Sequence, residues 1–167
     1  MAEEKKDSSE KLQLENSMIG EIKEFLGDDL VESRVQRARR IYLKVKPGAN
    51  RKAVEYMKGN WGMYHVSTIS GADLGENLEV IYHFNAKNVV VNLRAEVPRN
   101  KAKIETITDL IPGSNLYERE IHDMFGIDFK GHPNLVRLEL PEDWPDGQYP
   151  LRKDWKPTGK LMKTQEK

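Results

Sequence analysis

Apolar and polar positions along the chain change period repeatedly, and each change marks an element. Leu14, Met18, Ile22, Phe25 and Leu26 fall at i, i+4, i+8, i+11 and i+12, one face of a helix that Gly27 closes. Beyond it the period drops to two. Val31, Ser33 and Val35, then Ile41, Leu43 and Val45, alternate with polar neighbours and predict two half-buried strands joined by the basic turn Arg37-Ala38-Arg39-Arg40. Pro47-Gly48 ends the second strand, and Asn50 is placed to cap a short helix with Ala53, Val54 and Met57 inside and Gly59 at its end. Three more strands follow: Met63 to Ile69, a run through Leu78, Val80, Tyr82 and Phe84, and a run through Val89, Val91, Leu93, Ala95 and Val97. Their connections are short enough for an antiparallel meander. Ile104, Ile107 and Ile111 predict a short helix stopped by Pro112-Gly113. Asn115 opens the last helix, with Glu118 three residues on as in a capping box and Tyr117, Ile121, Met124 and Phe125 as its buried face.

From Ile127 regular periodicity lapses. Gly131, Pro133, Pro141, Pro145, Gly147, Pro150, Pro157 and Gly159 interrupt every longer element, yet the stretch carries Phe129, Leu135, Trp144, Tyr149, Leu151 and Trp155. A linker has no use for so much apolar surface, since each large aromatic is worth roughly 2 kcal/mol when buried. The stretch must lie against something, in this chain or another. The expected organisation is one α+β domain: a disordered charged arm at 1–11, a core at 12–126 in which helices pack a mostly antiparallel sheet, and a long extended partner-binding tail at 127–167.

Composition narrows the chemistry. The 167 residues hold 27 Lys plus Arg against 27 Asp plus Glu, and no cysteine. A chain without thiols has no disulfide framework, thiolate nucleophile or Cys-ligated zinc or iron–sulfur cluster. Zero net charge gives no electrostatic reason to expect nucleic acid or an anionic membrane as partner. No apolar run approaches the ~18 residues a bilayer span needs, and the charged first ten residues cannot form a signal-peptide core, so a soluble intracellular protein is expected. Charged residues reach 32%, a surplus common in heat-adapted proteins.

Candidate chemistry concentrates in Tyr117-Glu118-Arg119-Glu120-Ile121-His122-Asp123. Glu118 and His122 stand one helical turn apart, so Glu118, His122 and Asp123 are the candidate metal or acid–base set, though a second His and a third ligand are missing. A salt-bridged helix face is the competing and favoured account. His132, before Pro133, reads as a hydrogen-bonding corner. Arg34, Arg37, Arg39 and Arg40 are a candidate nucleic-acid contact, outweighed by a solvated turn because no aromatics interleave them. Arg119, Arg137 and Arg152 are forks suited to bidentate pairing, and beside the tail aromatics they have the composition of a binding surface.

The same residues carry a family pattern. Tyr117-Glu118-Arg119-Glu120, Asp123-Met124-Phe125-Gly126-Ile127, Phe129, Gly131-His132-Pro133, Leu135, Arg137, Pro141-Glu142-Asp143-Trp144 and Pro150-Leu151-Arg152-Lys153-Asp154 resemble the C subunit of respiratory complex I and of related membrane-bound hydrogenase and sulfane reductase complexes. The likeness spans roughly residues 40 to 155. It implies a non-catalytic structural and assembly subunit in the peripheral arm of an ion-translocating redox complex. The hydrogenase or sulfane reductase type is favoured over the NADH/quinone or F420H2 type. It also implies that the chain itself holds no cofactor. A nickel–iron centre and iron–sulfur clusters are expected in the partners, a large D-type catalytic subunit and a small B-type iron–sulfur subunit. No nucleic acid and no direct membrane span are expected, and the place is peripheral, on the cytoplasmic side of the cell membrane. The partner interface it implies comprises Glu118, Arg119, Glu120, Asp123, Phe125, Gly126, Phe129, His132, Pro133, Arg137, Trp144, Tyr149, Pro150, Leu151, Arg152, Lys153, Asp154 and Trp155. It assigns no catalytic, cofactor-binding or metal-ligating residue.

Overall fold

The computed structural model describes residues 12–157, so the expected arm at 1–11 and the last ten residues of the tail lie outside the described part. Helix α1 (Gln13–Leu26) leads into β1 (Leu30–Arg37) and β2 (Arg40–Val45), then α2 (Asn50–Trp61), β3 (Val66–Asp73), β4 (Asn77–Ala86), β5 (Val89–Pro98), β6 (Lys103–Glu105), α3 (Asn115–Phe125) and β7 (Asp128–Lys130). The main sheet has the order β1-β2-β5-β4-β3. All its pairs are antiparallel except β2 with β5, which run parallel because α2 and the β3–β4 hairpin intervene before β5 returns to the sheet centre. Alternation does the sorting: Ile41, Leu43 and Val45, Val91, Leu93 and Ala95, and Val80, Tyr82 and Phe84 bury one face under the helices. The mixed sheet packed by three helices is the expected α+β class.

Several local expectations are corrected. Residues 104–111 form no helix: Ile104 lies in β6, which pairs in parallel with β7, and the chain then turns. The three isoleucines are all buried, as their spacing suggested, but the β-branched Ile-Glu-Thr-Ile-Thr run favours extended backbone. Helix α2 continues past Gly59 to Trp61 and ends at Gly62, whose φ of +66° suits a left-handed cap. Asn50 does not cap α2; its buried amide donates instead to the Tyr82 hydroxyl and the Glu105 carbonyl. On α1, Leu14 and Phe25 are exposed and Glu15 is buried, accepting from the Arg39 amide that ends the β1–β2 turn. The expected first meander strand starts at Val66, three residues later than Met63. The core also reaches past residue 126: Ile127 and Phe129 are buried and β7 belongs to the domain.

Candidate partner-binding site

Helix α3 is amphipathic. Its apolar side, Ile121 and Phe125, packs toward β3, where the Phe125 ring occupies the space a side chain at Gly71 would need. Its two buried acids point in opposite directions. Glu118, fully buried, does not form a capping box; it accepts from the Ile107 amide at 2.9 Å and from the Thr106 hydroxyl, which also meets Thr108 at 2.9 Å. Burial outweighs those two hydrogen bonds and lifts its carboxyl from 4.5 to about 7. Asp123 faces the tail, and its Oδ2 accepts from the amides of Leu138, Glu139 and Leu140 at 2.7, 3.0 and 3.3 Å. One turn earlier Arg119 donates to the carbonyls of Val136 and Arg137 at 2.9 and 2.6 Å. An acid for the amides and a guanidinium for the carbonyls thus hold the backbone of 136–140 along α3.

The stretch from residue 136 to residue 155, a strap laid over α3, then folds on itself. Arg137 donates to the Trp144 carbonyl and to Asp146, both at 2.6 Å. Trp144 and Trp155 stack at 6.0 Å between ring centroids, and both indole N–H groups donate to Gln148, one to its carbonyl and one to its side chain. Tyr149 lies flat on Gly126, which combines φ of +67° with no room for a Cβ, since one would overlap that ring. Arg152 lies over the Tyr149 ring at 4.2 Å from its centroid and donates to the Phe125 carbonyl that ends α3. Burial pushes its guanidinium below the usual arginine value.

Asp73, at the end of β3, makes the last anchor. It accepts from the amides of Lys153 and Gly75 at 2.8 Å and pairs with Arg99, which also reaches Asp154 at 2.8 Å. Burial pushes the Asp73 carboxyl up, but the two amides and the Arg99 guanidinium outweigh it and hold it at about 2. Asp73, Arg99 and Gln148 are site residues that pattern reading missed. Asp73 and Lys153 stand 80 residues apart, so no local spacing announces the contact.

The interface residues expected from the sequence separate into two groups. Arg119, Asp123, Gly126, Arg137, Tyr149, Leu151, Arg152, Lys153 and Asp154 are brought together by α3 and the strap, with Phe125 inside the seam, Glu120 and Pro150 flanking it, and Trp144 and Trp155 on the outside. Glu118 and Phe129 turn into this chain's own interior. His132 before Pro133 is the expected corner: its Nε2–H donates to the Asn115 carbonyl, its Nδ1 accepts from the Asn134 amide, and burial lowers its pKa. Glu118, His122 and Asp123 are not brought together. His122 donates to the Ile127 carbonyl, Glu118 faces Thr106 and Asp123 faces the strap. Among the described residues no group of three or more His, Cys, Asp or Glu is placed to hold a metal ion, and no helix is long and apolar enough to cross a membrane.

Fold and site define a small α+β domain whose polar chemistry serves to grip backbone. The particular family follows from comparison with known proteins. The family model described as respiratory-chain NADH dehydrogenase, 30 kDa subunit, matches residues 43–161, and the chain belongs to that family. The C subunit of F420H2 dehydrogenase from Methanosarcina mazei is 35% identical over 143 residues, 83% of this chain and 87% of that one. The C/D subunit of NADH-quinone oxidoreductase from Buchnera aphidicola is 44% identical over 80 residues, 47% of this chain and 13% of that longer one. Among solved structures, a chain of the membrane-bound sulfane sulfur reductase, an archaeal respiratory membrane complex, has the same fold with a TM-score of 0.78, 24% identity and 93% of each chain covered. A trypsin-resistant fragment of Nqo5 matches 71% of this chain with a TM-score of 0.61 and 22% identity. The resemblance to the C subunit of complex I and its relatives is therefore confirmed.

Proposed function

We propose that this chain is a non-catalytic assembly subunit in the peripheral arm of a complex I-related, ion-translocating redox complex at the cytoplasmic side of the cell membrane. Its strap and the outer side of α3 clamp a large D-type catalytic subunit and a small B-type iron–sulfur subunit, and the nickel–iron-type centre and iron–sulfur clusters reside in those partners. The observation that carries this reading is the unfinished burial of the strap. Trp144, Tyr149 and Trp155 are only half-buried, Val136 and Leu138 remain 50% and 36% exposed although Arg119 and Asp123 hold the backbone beneath them, and Leu151 is 56% exposed although its amide donates to the Met124 carbonyl. A segment so firmly anchored and so incompletely covered is one side of a contact.

The sulfane reductase or membrane-bound hydrogenase type is the first reading, and the fold match to the sulfane sulfur reductase chain over 93% of both chains agrees with the former. An F420H2 dehydrogenase type is the second reading, favoured by 35% sequence identity over most of the chain. A tagged copy isolated from native membranes, with the co-purifying chains identified by mass spectrometry, separates the two. Limited trypsinolysis tests the clamp itself: cleavage at Arg152 and Lys153 is expected to be slower in the complex than in the isolated chain. Equal rates in both settings would contradict the clamp. Arg152→Ala is expected to lower the yield of intact complex on native gels, and Lys23→Ala, on the exposed side of α1, is expected to leave it unchanged.

A further inference from the structure

The main sheet has a second face. On the side away from the helices, residues of β1, β2, β4 and β5 line an open groove of about 530 Å³ that shares no residue with the strap. Arg34, Arg40 and Arg94 line it, and no carboxylate does. Two of its polar groups are committed. Arg94 forks onto Glu79, both bonds at 2.8 Å, and His83 lies between Asn92 at 2.6 Å and Ser70 at 3.3 Å. The remaining two arginines are not. Arg34 lies over the Tyr42 ring at 5.0 Å and reaches Glu32 only at 3.7 Å, with both side chains more than half exposed, so that ion pair is weak. Arg40 makes no side-chain hydrogen bond or ion pair among the described residues, and its Nε is shielded from water without a partner. The turn cannot carry it elsewhere, because the Arg39 amide is tied to Glu15 and the Arg39 carbonyl to the Val90 amide at 2.9 Å.

The Nη1 and Nη2 groups of Arg40 are neither shielded nor paired among the described residues, and the acceptor that takes a guanidinium fork in two parallel bonds is a carboxylate. We propose that the Arg34–Arg40 end of this open sheet face is a second docking surface, which receives an acidic segment of a partner polypeptide with a carboxylate seated on Arg40. Glu32, Glu79 and Glu96 are paired with Arg34, Arg94 and Lys44, which leaves the Arg40 guanidinium as the uncompensated charge of this face, and its planar fork matches the carboxylates of an acidic polypeptide. The Tyr42 face that would stack a base is already covered by Arg34.

The test is NMR titration of the full isotope-labelled chain, observing backbone amides and arginine Nε–Hε groups, with a decaglutamate peptide, a decalysine peptide and a decauridylate RNA. Decaglutamate is expected to shift Arg40 and Arg34 Nε–Hε and the amides of 40–44 and 90–94, with binding that weakens as salt rises. Decalysine is expected to leave them unmoved. Arg40→Gln is expected to weaken decaglutamate binding at least ~10-fold, and Arg40→Lys, which keeps charge but not the fork, to restore only part. Unchanged amide positions in the helices certify the fold of each variant, and Arg34→Gln provides a second, milder one. No shift with decaglutamate, shifts confined to other surfaces, or RNA binding at the same residues as tightly as decaglutamate would each overturn the proposal. The strap takes no part in this readout, so its outcome is separate from that of the clamp.

Discussion

Glu118→Gln is the sharpest probe of how the interior is built. Glu118 is fully buried, with one oxygen on the Ile107 amide and the other on Thr106, and its carboxyl is raised from 4.5 to about 7. Between those two values the folded chain keeps a proton that the unfolded chain has released. The unfolded state therefore binds fewer protons, and stability falls as pH rises across that window. Each pH unit of the window is worth about 1.36 kcal/mol, so the full loss from this group is about 3 kcal/mol. The loss is absent well below pH 4.5 and complete above pH 7. Gln has nearly the same shape, and its carbonyl can accept from Ile107 while its amide faces Thr106, but it never charges. The variant is expected to match the parent near pH 4.5 and to exceed it by up to ~3 kcal/mol at pH 8. Urea unfolding of both proteins between those two pH values measures this, and other titrations cancel in the difference. Parallel pH profiles, or a variant less stable at the alkaline end, would refute the account of Glu118 as a group whose burial dominates its hydrogen bonds.

Three further outcomes follow from the strap and its anchors. Gly126→Ala adds a Cβ at a left-handed φ and drives it into the Tyr149 ring. A loss of at least ~1 kcal/mol in thermal melts and faster trypsin cleavage at Arg152 are expected. Asp123→Ala leaves the amides of 138–140 without their common acceptor. It is expected to cost roughly 1–3 kcal/mol and to raise hydrogen exchange in that stretch while α3 stays protected. Asp73, held at about 2, contributes stability that is present above its ordinary value near 3.8 and lost as pH falls toward 2. Acid titration of the strap, followed by Trp144 and Trp155 fluorescence, is expected to show release in that window, shifted to higher pH in Arg99→Ala.

Alternation within β2, β4 and β5 was legible from the sequence alone, because a half-buried strand must place every second residue in the core whatever lies above it. The same holds for the Met18–Ile22–Leu26 stripe of α1 and for the greasy, proline-broken stretch from residue 127, whose composition calls for a covering surface and whose first residues, Ile127 and Phe129, find it in the core. Where local preference and spacing disagreed, as at Ile104, Ile107 and Ile111, spacing reported burial correctly and conformation wrongly. A partner strand, β7, decided the backbone there. Family membership was also readable, since the motif residues cluster in α3 and the strap.

What only the tertiary structure decided are the long-range pairings that give those residues their tasks. Glu118 and Asp123 look alike in sequence, two acids on one helix. One is sealed against Thr106 and the other grips the strap, because Glu118 and Asp123 lie five positions apart and so point to different sides of α3. Asp73 meets Lys153 across 80 residues, and Arg40 is left without a partner by a sheet register that no single segment contains. Periodicity records which side of an element faces inward. It carries no information about which other segment arrives there, because that is set by how the elements pack together.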